Sequence, residues 1–161
     1  MKLEETLQAL YDHAVEFVII GGAAMQLQGS ARLTDDLDFC YARNRRNLER
    51  LAAALAPFHP RLRNAPEGLP FRFDAPTIER GMNFTLATDL GPLDFLGEVS
   101  GLGSYEAVLA ASETMNILAM PSRVLSLPGL IKAKLAAGRA KDLEAVRELE
   151  SLREGREKSG L

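Results

Sequence analysis

Three carboxylates crowd four positions of the segment GSARLTDDLDF, residues 29–39: Asp35, Asp36 and Asp38. Side chains two apart on a strand share a face, so Asp36 and Asp38 project together while Leu37 and Phe39 enter the opposite, buried layer. Asp35 then faces solvent. Two adjacent carboxylates repel each other and hold their protons unless a cation neutralises them. Magnesium suits that position, because it binds through one or two carboxylates together with substrate phosphates and retained waters. Asp94 stands within the apolar run Leu93-Asp94-Phe95-Leu96, where an unpaired charge is costly to bury. If the two strands are neighbours, the three acids meet and form a two-metal site.

Such a site needs a phosphate cradle. Gly21-Gly22 follows the apolar run Phe17-Val18-Ile19-Ile20 and precedes a stretch of good helix formers, residues 23–28. Absent side chains there admit backbone N–H groups to an anion at a helix start; the same dipeptide also suits a plain tight turn. The segment lacks the third glycine of a dinucleotide fingerprint, and no Gly-Lys-Ser/Thr loop occurs in the chain.

The elements that must position these residues alternate between helix and strand, which gives a mixed α and β (α+β) class. Periodicity predicts a helix at about residues 2–13, strands at 17–20 and 37–41, and a helix at 44–55. Residues 56–76 hold five of the eight prolines and read as a loop with at most a short strand near 71–73. Alternation from Met82, a turn at Asp89-Leu90-Gly91-Pro92 and the run around Asp94 predict a hairpin. A short helix at 105–111, strand-like pieces at 115–119 and 123–125, and helices at 128–137 and 140–152 follow, before a charged, frayed tail at 153–161. Residues 1–152 thus form one domain.

The 161 residues suffice for a single core, and 47% hydrophobic with 25% charged residues is the composition of a globular chain without a membrane span. The N-terminal stretch reads as an amphipathic helix and not as a secretory signal, so the cytoplasm is expected. One cysteine, Cys40, and two distant histidines, His13 and His59, offer neither a disulfide nor a zinc cluster. A net charge of −3 argues against a surface made wholly for nucleic acid. Local basic clusters stand at Arg43, Arg45, Arg46 and Arg50, and at Lys132, Lys134, Arg139 and Lys141.

Strand, Gly-Gly, helix, RLTDDLDF and a later strand acid together resemble the nucleotidyltransferase superfamily with the DNA polymerase β-like core. More closely, VIIGGAAMQLQGSARLTDDLDF is similar to small nucleotidyltransferases related to abortive-infection toxins, with Arg32, Thr34, Asp36 and Asp38 on the pattern Arg-x-Thr/Ser-x-Asp-x-Asp. LPGLIKAKLAAGRAKDLEAV resembles the group's C-terminal helices, with Lys134, Arg139, Lys141 and Asp142 matching. The resemblance spans about residues 15–150. It implies a mixed sheet flanked by helices and transfer of a nucleoside monophosphate from a nucleoside triphosphate to a hydroxyl. Asp36, Asp38 and Asp94 would hold two magnesium ions, or manganese in their place, while Gly21, Gly22, Arg32, Thr34 and Lys134 would bind the nucleotide. In this group the acceptor is an RNA or transfer RNA end, a protein or a small molecule, and a toxin–antitoxin partner is expected in some cases. Where relatives carry Ser or Thr in the glycine turn, this chain has Gly22 and Ala23. That departure supports an alternative: an inactive nucleotidyltransferase-fold protein that binds nucleotide or neutralises a toxin.

Overall fold

The computed structural model describes residues 2–160. β1 (Phe17–Ile20) and β2 (Leu37–Tyr41) are short, apolar and rich in β-branched or aromatic residues. They pair antiparallel at the centre of a seven-stranded mixed sheet. β4 (Asn83–Thr88) and β5 (Gly91–Leu96) form the predicted hairpin, and β5 lies parallel to β2. On the other side, β9 (Met120–Leu125) runs parallel to β1 and pairs with β8 (Ser112–Ile117). The two-residue strand β3 (Arg61–Leu62) borders β4, giving the order β3-β4-β5-β2-β1-β9-β8. A separate two-stranded ribbon joins β6 (Glu98–Val99) to β7 (Gly103–Ser104).

Alternation along the central strands sorts their side chains as expected. Phe17, Phe39 and Phe95 share one face, where Phe39 stacks on Phe95 with ring centroids 5.1 Å apart and meets Phe17 edge-on at 5.5 Å. Asp38 and Asp94 alternate onto the other face. Helices α1 (Leu3–Asp12), α3 (Arg45–Leu55) and α4 (Ala75–Arg80) form one contiguous group, α1 against α3 and α3 against α4. α2 (Gly21–Leu27) and α5 (Tyr105–Ala110) lie against β1 and β2. α6 (Leu127–Ala137) contacts α2 and packs along α7 (Ala140–Ser159).

Several expectations are corrected. No strand forms at 71–73; Phe73 instead inserts beside Phe84, at 5.5 Å, and the loop ends in α4, a helix that the proline-rich stretch does not announce. Its start is well specified, since Asp74 accepts from the Thr77 N–H at 3.0 Å and Pro76 occupies the first turn. The segment expected to fray continues α7 to Ser159, where Gly160 adopts a left-handed conformation that closes the helix. Arg156 holds this last stretch to the body by donating to the Gln28 carbonyl at 3.0 Å. Among the described residues no helix is long and apolar enough to cross a membrane.

Candidate active site

The parallel register of β2 and β5 sets Asp38 directly beside Asp94, and the antiparallel register of β1 sets Ile20 on its other side. Asp36 precedes the strand by one residue. Its peptide is pinned by Thr34, whose hydroxyl donates to the Asp36 carbonyl at 3.1 Å and accepts from the Asp36 N–H at 3.3 Å. The three acids therefore meet at one end of the central strands. Burial, then the charge of Asp94 and a hydrogen bond with it, push the Asp38 carboxyl up to about 7. Asp38 Oδ1 is buried without a hydrogen-bond partner among the described residues.

Gly21 explains how this carboxylate fits. It stands at φ +62°, and a Cβ at this position would collide with Asp38 Oδ2. Gly22 makes the next close approach, since a Cβ there would fall 2.8 Å from the Thr34 side chain. The double glycine thus lets the strand-to-helix turn close over both halves of the Thr-x-Asp-x-Asp segment. Two cavities flank it. One, of about 270 Å³, runs from Gly21 and Asp38 past Glu98 to Lys134. The other, of about 290 Å³, is lined by Gly22, Thr34, the four cations Arg32, Lys134, Arg139 and Lys141, and one acid, Asp142.

No family model matches the chain, and no curated protein is similar to it in sequence. Solved structures do match. A Thermotoga maritima protein provisionally named a nucleotidyltransferase aligns at 17% identity over 92% of this chain and 90% of its own, with a TM-score of 0.59. ANT(2″)-Ia, solved in complex with adenylyl-2″-tobramycin, aligns at 16% identity over 99% and 97%, with a TM-score of 0.57. A nucleotidyltransferase-like protein from Paracoccidioides brasiliensis aligns at 18% over 94% and 74%, with a TM-score of 0.56. The chain has a nucleotidyltransferase fold.

Within this nucleotidyltransferase fold the sequence-predicted residues separate into two groups. Asp36, Asp38, Asp94, Gly21, Gly22 and Thr34 converge as described, and Lys134 reaches both cavities. Lys134 also pairs with Asp142 at 3.4 Å, joining α6 to α7. Asp142 is 1% exposed, accepts from Arg139 Nε at 2.6 Å and from the Arg139 N–H at 3.2 Å, and is pulled down to about 2 by these bonds. Arg32, expected at the nucleotide, lines the second cavity and pairs with Glu148 of α7 at 3.3 Å. Arg43, Arg45, Arg46 and Arg50 line neither cavity. Arg43 lies five positions after Asp38, roughly 16 Å along an extended chain. Arg43 donates to the Ile78 and Glu79 carbonyls, Arg45 pairs with Glu49 and Glu79, and Arg50 donates to the Ala14 carbonyl.

Two residues at the site escape sequence reasoning. Arg63, just beyond β3, pairs with Asp94 at 2.8 Å and approaches Asp36 at 3.7 Å. Nothing in a proline-rich stretch marks that arginine. Glu148 gathers the segment before the aspartates, accepting from the Ser30 hydroxyl at 2.7 Å and the Ala31 N–H at 3.3 Å besides pairing with Arg32.

The acid set fits a divalent cation in chemistry: it is all oxygen, it includes an unpartnered buried carboxylate oxygen, and it lies beside a glycine cradle that a side chain would fill. As the side chains stand, no three acidic, His or Cys groups among the described residues gather closely enough to hold one.

Proposed function

We propose that the protein is a metal-dependent nucleotidyltransferase, moving a nucleoside monophosphate from a nucleoside triphosphate to a hydroxyl acceptor. The observation that carries this reading is the in-register pair Asp38 and Asp94, with Asp38 set against Gly21 in the cavity that reaches Lys134. Asp36, Asp38 and Asp94 would hold magnesium, or manganese, which supplies positive charge to the reacting phosphate and acidifies the acceptor. The basic cavity of Arg32, Lys134, Arg139 and Lys141 matches the charge of a triphosphate. Buried Asp142 keeps Lys134 and Arg139 aimed along it.

In the reaction, the acceptor oxygen bonds to the α-phosphorus, the bond from that phosphorus to the β-phosphate bridging oxygen breaks, and pyrophosphate leaves. Asp94 takes the acceptor proton. The small cavities, and the engagement of Arg43, Arg45 and Arg50 in local contacts away from them, favour a small hydroxylated acceptor over an RNA end. ANT(2″)-Ia, seen with adenylyl-2″-tobramycin, is a fold neighbour consistent with that class.

A second reading, a non-catalytic nucleotide binder or toxin partner, is favoured by the guanidinium of Arg63 among the acids and by Ala23 in the glycine turn. Incubation with α-labelled triphosphates and panels of aminoglycosides, other hydroxylated small molecules, RNA and proteins separates the two. Transfer of the label with release of pyrophosphate, lost in Asp94→Asn, is the expected result. Magnesium-dependent binding that yields no pyrophosphate with any acceptor class would favour the binder.

A further inference from the structure

Arg63 stands between Asp94 and Asp36. Its Nη2 donates to Asp94 Oδ1 at 2.8 Å and lies 3.7 Å from Asp36 Oδ2, while Nη1 donates to the Leu86 carbonyl at 3.3 Å. The side chain is 23% exposed, so the pair with Asp94 is partly withdrawn from water. A guanidinium neutralises carboxylates through a planar fork of N–H donors nearly 3 Å long, whereas magnesium draws oxygens to about 2.1 Å. Carboxylates spaced around the first stand wider than those drawn onto the second, and among the described residues no three acidic groups gather closely enough to hold a metal ion.

We propose that Arg63 is a built-in counter-ion that competes with the divalent cation for Asp94 and Asp36, so that the site loads only when the guanidinium leaves. The inference rests on the nucleotidyltransferase reading above. One positive charge holds the metal-free acids together, and loading exchanges it for a larger one. Departure needs no change in the sheet. The Arg63 N–H stays bonded to the Thr85 carbonyl at 2.9 Å, and rotation about the side-chain bonds suffices. A cavity of about 440 Å³, lined by Arg63, Asn64, Pro66, Leu69 and Phe71, adjoins the arginine and can receive it. The proline-rich segment thereby acquires a role as the holder of a removable cation.

The test is binding of manganese to the nucleotide-free protein, followed by the electron paramagnetic resonance of the free ion. Arg63→Met and Arg63→Gln are expected to bind manganese roughly tenfold or more tightly than the wild type, because a charge facing the ion is gone. Adding Asp94→Asn to either variant is expected to abolish the gain. Equal affinities in the wild type and both variants would overturn the inference while leaving the metal site intact. No binding by any of them at millimolar manganese would overturn the inference, and the same titration repeated with a nucleoside triphosphate, whose phosphates complete the ligand set, then decides the metal-dependent reading separately. Should both variants fail to fold, the wild type decides: its Arg63 Nε–H resonance is expected to shift and exchange faster on saturation with magnesium, and an unchanged resonance would overturn the proposal.

Discussion

Asp38 is asked to be a carboxylate where the fold makes that expensive. Its folded pKa of about 7 lies above the ordinary 3.8, chiefly from burial and then from Asp94. At this group the folded protein therefore binds more protons than the unfolded chain between those values, and its contribution to stability falls as pH rises from about 4 to about 7. In metal-free protein, Asp38→Asn removes this cost, and at pH 8 it is expected to unfold at a higher denaturant midpoint than the wild type, by roughly 2–4 kcal/mol. At pH 4 the gain should vanish. Magnesium is expected to raise the wild-type melting temperature more at pH 8 than at pH 5, because the carboxylate is the form it binds. Gly21 is the complementary residue. Gly21→Ala places a Cβ against Asp38 Oδ2 at φ +62°, and denaturant unfolding should report a loss of about 1–3 kcal/mol along with weakened triphosphate binding.

At the scale of elements, the Asp36–Asp38 segment depends on α7. Glu148 ties Ser30, Ala31 and Arg32 to that helix, and Arg32 serves this clamp. Glu148→Ala is expected to leave the sheet intact, to speed amide exchange across residues 30–36, and to weaken triphosphate binding without abolishing it. Unchanged exchange there would remove α7 from the site. How far such relations can be read from the chain differs by element. Asp36 and Asp38 are legible because a period of two separates charged from apolar side chains, and the Asp94 strand because its apolar neighbours make a lone carboxylate conspicuous. α4 is legible in principle, through Asp74 and Pro76, but the surrounding prolines mask a six-residue helix. The far end of α7 is not, since residues 153–159 are charged and owe their order to tertiary bonds such as Arg156 to Gln28. Arg63 is illegible for a deeper reason: only the pairing of β3 with β4 and β4 with β5 brings residue 63 to residue 94.

At the scale of the whole molecule, the centre of the main sheet gathers acids, while Lys134, Arg139 and Lys141 gather where α6 gives way to α7 and line the neighbouring cavities. Between them run the two glycines. Negative and positive surfaces facing each other across a cavity are what a metal–triphosphate complex requires, and a net charge of −3 leaves little long-range attraction for polyanions beyond that local field. Specific geometry, not overall charge, has to select the ligand. Isothermal titration of each nucleoside triphosphate, with and without magnesium, into the wild type and into the double variant Asp36→Ala/Asp38→Ala tests this most directly. Saturable binding that requires magnesium and is lost in the folded double variant is the expected result. Absence of binding by the folded wild type, or binding that persists unchanged without both aspartates, would contradict it.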